Sequence, residues 1–298
     1  MTQFDFYLLN LSFRAPEGLE LEKLQSGIEQ LSEDCEFIRA YEERTFRHPS
    51  IYEEILWEER TVMDALYIPD VSEEIGRDHH FMLQIIIDHS AETNLENDDV
   101  IELLDAHNEG LVNGLLCLHE VDEIEQQYCV YNRNDWYDFH RYFLGLYPIS
   151  EEHFTQCCTK YFPKLHFHEG ISQSLGTLER GSLTDFSKTI VQSLSCLNDD
   201  FEKCRIPNNI PETLRRFSTM SGIETTNEGN AERRDALSFT FITQDEQEIP
   251  VYCEPHMKLS GSDSRGDSSY RFNRIYFHPG KPEIADGKIL VGHIGNHL

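Results

Sequence analysis

Cys253-Glu254-Pro255-His256-Met257-Lys258-Leu259, Arg271-Phe272-Asn273-Arg274-Ile275-Tyr276-Phe277-His278 and Lys288-Ile289-Leu290-Val291-Gly292-His293-Ile294-Gly295-Asn296-His297-Leu298 decide how this chain is read. Each segment reads at period two, the spacing of a strand, and polar loops separate the three. They predict a C-terminal antiparallel β-meander. Alternate side chains of a strand share a face. Ile249, Val251 and Cys253 therefore fall on one side, and Tyr252, Glu254, His256 and Lys258 on the other. In the next strand Ile275 and Phe277 oppose Arg274, Tyr276 and His278. Pairing the two strands would set Glu254, His256, Lys258, Arg274, Tyr276 and His278 on one sheet face.

That set has the composition of a metal-free phosphodiesterase site. A carboxylate or imidazole serves as base and a second imidazole or phenol as acid, while Lys and Arg oppose the charge growing on phosphate. The same residues also suit a plain polar outer face over a buried inner one, the usual form of an antiparallel sheet. Pro255 points to a bulge or an edge, which would break the parity. His293 and His297 share parity with the apolar Ile289 and Val291, so they are not expected in the cluster. Ile289, Leu290, Val291, Ile294 and Leu298 give the last strand apolar residues on both parities, as in a strand covered on both sides.

Outward from this sheet, the chain reads as an α+β protein. Residues 1–133 form an acidic α/β-type N-terminal unit, 134–220 a helical middle, 221–236 an exposed connector and 237–298 the C-terminal antiparallel sheet. Phe4 to Phe13 predicts a strand, Leu19 to Leu31 an amphipathic helix, His80 to Asp88 a buried strand and Gln127 to Tyr131 another. Asp98 or Asp99 is placed to cap a helix through Leu104. In the middle, Asn134 or Asp135 caps a helix that Pro148 ends, Ser150 opens the next, and Thr184 to Leu197 carries an apolar stripe. Ser238 to Thr243 reads as a strand, and Ser260 to Ser269 as a polar mobile loop.

The charge is lopsided. The formal net charge is −29, with 15 basic and 41 acidic residues up to Arg205 but 10 and 13 beyond it. Nucleic-acid binding draws on a basic surface, so the first two-thirds of the chain is a poor candidate for it. An acidic body suits a plain soluble protein, a basic partner or nucleic-acid mimicry. No apolar run approaches the roughly 18–20 residues of a membrane span, and Met1 to Phe6 lacks a basic leader region. The expected location is cytoplasmic. The eight cysteines show no CxxC spacing and read as reduced core thiols. His166-x-His168-Glu169 would point two imidazoles the same way in a strand, but no third ligand is evident. Neither a metal nor a cofactor is expected. No Walker, Rossmann-glycine, GxSxG or kinase signature occurs.

The order Arg274-Ile275-Tyr276-Phe277, a turn at Asp286-Gly287-Lys288, then Ile289-Leu290-Val291-Gly292-His293-Ile294-Gly295 resembles the terminal hairpin of RelE-type bacterial toxins. Those are small basic ribonucleases with tyrosyl and basic residues on a sheet. The fuller pattern Cys-Glu-Pro-His-x-Lys-Leu, Arg-Ile-Tyr-Phe, Ile-Leu-Val-Gly-His-Ile-Gly-x-His-Leu over residues 253–298 resembles that of a family of uncharacterised bacterial proteins from phage-defence neighbourhoods. The resemblance implies a component of a bacterial defence or toxin-like system. Two readings follow. One is a metal-independent ribonuclease acting through the C-terminal sheet, with RNA as substrate. The other is a non-enzymatic adaptor or regulatory subunit that binds a protein partner such as an ATPase or nuclease.

Overall fold

The computed structural model describes residues 2–122, 124–228, 234–259 and 272–298. The Ser260–Ser269 loop lies outside them. The chain is an α+β protein that divides into two compact units, residues 1–140 and 141–298. The helical middle and the terminal strands belong to the same unit.

The first unit is built on five parallel strands: β1 (Gln3–Leu8), β2 (Arg44–Arg47), β5 (Ala91–Glu92), β6 (Leu111–Leu116) and β7 (Cys129–Val130), in the order β5-β2-β1-β6-β7. Between them run α1 (Asn10–Phe13), α2 (Leu21–Ala40), the small hairpin β3 (Ile55–Trp57) and β4 (Arg60–Thr61), α3 (Val62–Tyr67), α4 (Pro69–Ile75), α5 (Arg77–Asp88) and α6 (Asn97–Asp105). α7 (Arg133–Leu146) follows and carries the division between the units.

Period two in β1 sorts the layers. Phe4 and Phe6 meet Phe139 of α7 at ring-centroid distances of 6.0 and 5.0 Å. Gly114, the register partner of Phe6, leaves room for this approach, since a Cβ there would lie 2.7 Å from Phe6 and 2.8 Å from Phe139. α2 packs beside α7, with Phe37 4.9 Å and Tyr41 4.6 Å from Trp136. On the opposite face Asp5 takes Arg44 in a two-pronged ion pair (2.8 and 2.5 Å), and Asn113 Nδ2 donates to Leu103 O of α6. At the carboxyl ends of β1 and β6, where ligands often sit in such sheets, Ser12 closes the gap. Its Oγ and O accept from Leu118 N and His119 N.

Several sequence expectations fail here for physical reasons. His80–Asp88 lies within a helix, because a short apolar run does not separate buried strand from buried helix. Leu83, Ile86 and Ile87 turn inward at helical spacing while Phe81 stays exposed. The first strand stops at Leu8, and Gln127–Tyr131 keeps only Cys129 and Val130 as strand. Asp99 does act at the start of α6, in a capping box with Glu96.

The second unit holds a mixed sheet in the order β8-β14-β13-β12-β9. In chain order it contains α8 (Glu151–Tyr161), β8 (Leu165–Phe167), α9 (Ile171–Leu175), α10 (Leu183–Cys204) and α11 (Ile210–Ser221). β9 (Thr225–Asn227), the hairpin β10 (Ser238–Ile242) and β11 (Glu248–Tyr252), β12 (Pro255–Leu259), β13 (Asn273–His278) and β14 (Ile289–Asn296) complete it. Ser150 caps α8 by accepting from His153 N. The antiparallel run β12-β13-β14 matches the expected meander, but β9 extends it inside the segment read as a connector, and β8 adds a parallel strand. Three-residue strands carry too little pattern to be seen alone.

Both faces of this sheet are covered. On one, Phe277 meets Phe201 of α10 at 5.4 Å, and Phe201 meets Phe217 of α11 at 5.3 Å. On the other, the β10–β11 hairpin closes a core of Leu237, Phe241, Val251, Cys253, Tyr276, Ile284 and Leu290. Beyond β8, α9 and the turn after it satisfy the edge of β14: Ser174 Oγ accepts from Ile294 N, and Thr177 Oγ1 from Asn296 N, each at 3.1 Å.

Candidate functional site

β12 and β13 pair in the register that sets His256 opposite Tyr276 and Lys258 opposite Arg274. Side chains of directly opposed residues touch across an antiparallel pair, and here the His256 and Tyr276 rings lie 5.2 Å apart. Glu254 lies outside both strands, between β11 and β12. β11 ends at Tyr252 and β12 begins at Pro255, so residues 249–258 are two strands and parity cannot be carried through Glu254. The break falls at a proline, which suits the first residue of a strand.

His293 joins the cluster although its parity argued against it. Tyr276 pairs with His293 but Phe277 pairs with Val291, so Gly292 is the extra residue of a β-bulge. A bulge shifts the alternation by one, which turns His293 toward Tyr276 at 5.9 Å while Val291 stays inward. Glycine is required there, because a Cβ at Gly292 would meet Phe239 at 2.5 Å and Cys253 Sγ at 3.0 Å. Sequence reasoning missed His293 for this reason. A glycine inside an otherwise apolar strand was the available signal.

The cluster is interior. His256, Arg274 and His293 are each 5% exposed and Tyr276 is fully buried. His256 Nε2 lies 3.3 Å from Thr226 Oγ1, His293 Nε2 donates to Asn296 O at 3.0 Å, and Arg274 Nη1 donates to Asn273 O at 2.8 Å. Lys258 pairs with Glu224 of the segment leading into β9. His297 meets His256 at 6.4 Å and pairs with Glu228 at 3.2 Å. His278 lies apart: it faces Leu290 in the register, and its Nδ1 accepts from Gly280 N.

Burial sets the protonation states. It pushes His256, His278 and His293 each down to about 4, with the Arg274 charge adding to the effect on His256. All three are neutral imidazoles at pH 7. Glu254 moves up, through partial burial and the nearby Glu228. A base near 4 has little drive to take a proton at neutral pH, and a neutral imidazole is a weak proton donor. Two neutral rings, a phenol and a guanidinium lie together at this depth, and His256 Nδ1 has no hydrogen-bond partner among the described residues.

The second candidate also resolves into packing. His166 and His168 point the same way from β8, as expected of i, i+2 residues in a strand, but into the hairpin. Their rings lie 5.8 and 5.4 Å from Phe241, and His168 is 5.5 Å from Phe239. Among the described residues no group of His, Cys, Asp and Glu is arranged to hold a metal ion. The cysteines in apolar surroundings have raised thiols, Cys253 and Cys35 to about 12, which keeps them protonated. Among the described residues no helix is long and apolar enough to cross a membrane. Comparison with known proteins returned no matching family model, curated protein or solved structure.

Proposed function

We propose that this protein is a non-enzymatic adaptor or regulatory subunit, in which the C-terminal polar cluster holds the second unit together and the acidic first unit engages a basic protein partner. The observation that carries this reading is the burial of the cluster. Arg274 and Tyr276, the phosphate clamp and the proton donor of a ribonuclease mechanism, are 5% and 0% exposed, and Tyr276 belongs to the core that the hairpin closes. Lys258, the second clamp, is held by Glu224. A substrate phosphate needs cations it can reach. The charge distribution supports the other half of the reading. Residues 1–140 hold 33 acidic and 8 basic side chains, against 21 and 17 in residues 141–298. A field of that sign steers basic partners and repels nucleic acid. Membership of a bacterial defence or toxin-like system rests on the resemblance of residues 253–298.

The test is His256→Ala and Arg274→Ala, each measured for thermal stability and for cleavage of a labelled single-stranded RNA beside the unaltered protein. Removing a buried polar partner costs about 1–3 kcal/mol, so both variants should melt several degrees lower, and no protein should cut the RNA. RNA cleavage by the unaltered protein, lost in variants that melt normally, would replace the adaptor with the ribonuclease.

A further inference from the structure

Residues 52–81 of the first unit build a surface unlike the rest of the molecule. Ile55 (46% exposed), Met63 (47%), Tyr67 (66%), Ile68 (43%) and Phe81 (61%) are five of the nine large apolar side chains left open among the described residues. Four of them fall between Ile55 and Ile68, and the fifth is on the helix packed against α3. Met63 and Tyr67 stand four apart on α3 and so share one helical face. Ile68 is the hinge residue that ends α3 and caps α4. Ile55 pairs with Thr61, the residue that caps α3 through a capping box with Asp64. α5 packs on α3, where His80 Nε2 lies 3.1 Å from Leu66 O, and Phe81 is the next residue of α5. α3 is too short to be stable by itself. It is held by Val62, Ala65 and Leu66 turning inward, which leaves the opposite side, with Met63 and Tyr67, free to be apolar without serving the core.

The rim of this surface is acidic. Glu53, Glu58, Glu59, Asp70, Glu73, Glu74 and Asp78 are all exposed, against Arg60 and Arg77, and Arg60 already lies 3.9 Å from Glu74. An apolar patch rimmed by one sign of charge marks an interaction site and selects its partner. Nucleic acid and anionic membrane are repelled by this rim. A neutral apolar surface would gain nothing from it.

We propose that the Ile55–Met63–Tyr67–Ile68–Phe81 surface docks a basic amphipathic segment of a partner protein, whose apolar side chains cover the patch while its Lys and Arg residues meet the carboxylate rim. This rests on the adaptor reading and names where and what it binds. The binding mode is that of an amphipathic helix laid on an apolar surface, with the charges setting specificity and on-rate and the apolar anchors setting residence.

The experiment is a titration of the full chain with three probes: a short Leu/Lys amphipathic helix, poly-lysine without apolar residues, and vesicles containing phosphatidylserine. The Leu/Lys peptide should bind best, and more weakly as salt rises. The double variant Met63→Ser/Tyr67→Ser should weaken it about tenfold or more, the loss expected when two apolar anchors are removed. Ile242→Ser, at an exposed apolar residue of the second unit, should leave it unchanged. Since exposed residues contribute little to the core, the variants should melt as the unaltered protein does. If the double variant binds the peptide as tightly as the unaltered protein does, or if poly-lysine binds equally well, the contact is bulk charge attraction and the proposal falls. Preferential binding to the vesicles would overturn it in favour of a membrane. The outcome is independent of the RNA test, so loss of this docking surface and loss of the adaptor reading can be told apart.

Discussion

The two units solve the problem of a sheet covered on both sides in opposite ways. In residues 1–140 the five-stranded sheet is all parallel. This unit's buried charge is mostly carboxylate, in Asp5 and Asp34 and in Glu43, whose carboxylate meets Trp136 Nε1 and His140 Nε2 at 2.9 and 3.3 Å. In residues 141–298 the sheet is mixed, and histidines, an arginine and a tyrosine are drawn into the interior. The consequence is an opposite response to acid. The first unit carries 25 of the 29 net negative charges, and its buried Asp34 has a carboxyl pushed up to about 6 by desolvation. The second holds imidazoles pushed down to about 4. Lowering the pH relieves Asp34 of the first unit, although it also burdens the half-buried His119 there, and it burdens the imidazoles of the second.

The largest test of this division is Phe201→Ala. Phe201 is fully buried between Phe217 and Phe277, and such a truncation costs about 3–5 kcal/mol. Both tryptophans, Trp57 and Trp136, lie in the first unit, so their fluorescence reports that unit alone. The expected result is a lower transition by circular dichroism with an unmoved fluorescence transition. A shift of both by the same amount would show the two units unfolding as one.

Next in size is the pH response. A histidine held at about 4 in the fold but near 6.5 when unfolded binds more protons in the unfolded state between those values. Stability therefore falls as pH drops from about 6.5 toward 4, and rises again with pH. A tenfold difference in proton affinity between the folded and unfolded chain is worth about 1.4 kcal/mol at most, so His256 and His293 together should cost the second unit several kcal/mol. Hydrogen exchange at pH 7 and 5 should show strand amides of β12–β14 losing protection while those of β1 and β6 do not. Equal loss in both sheets would erase the contrast.

A smaller comparison uses the two close-packed glycines. Gly114→Ala and Gly292→Ala each drive a methyl into aromatic side chains, at 2.7–2.8 Å and 2.5–2.8 Å, and overpacking of this kind costs about 1–3 kcal/mol. The first should lower the tryptophan transition and the second the circular-dichroism transition. At Gly292 the bulge adds a further expectation: His293 should lose its fixed place opposite Tyr276, read as a change in its imidazole titration by NMR.

What the sequence disclosed tracks the length and regularity of each signal. The β12–β13 pairing was legible because His256, Lys258, Arg274 and Tyr276 alternate with Met257 and Ile275, which are fully buried. The cap at Ser150 was legible because capping is a local affair of a few residues, whereas at α6 the cap is Glu96 and Asp99 is its partner in the capping box. Pro255 signalled the break in parity ahead of β12, since a proline is a local signal. The bulge at Gly292 and the short strands β8 and β9 were not legible, since each is decided by a partner far away in the chain. The helical state of Arg77–Asp88 was hidden by its apolar run. Exposure of Met63 and Tyr67 was beyond any periodicity, because a helix with apolar residues on two sides reads as one buried all round.

The smallest expected effect tests the acid response of the first unit directly. Asp34 is 2% exposed on α2, with Oδ2 accepting from Gln30 Nε2 at 3.0 Å and Oδ1 buried with no hydrogen-bond partner among the described residues. Its carboxyl is held at about 6, above the unfolded value of 3.8. The folded state thus binds more protons between those values, and the stability it confers in the protonated form is lost as pH rises from 3.8 through 6. Asp34→Asn keeps the shape and the acceptor for Gln30 but removes the charge. It should stabilise the first unit at pH 7, by about 1 kcal/mol once the new amide N–H groups have found partners. The gain should vanish near pH 4, where the carboxyl is already neutral in the fold. Tryptophan-monitored melting at the two pH values decides it. A gain that persists at pH 4 would assign the effect to packing, and a loss at pH 7 would mean the charge is stabilised by Arg133 more than burial disfavours it.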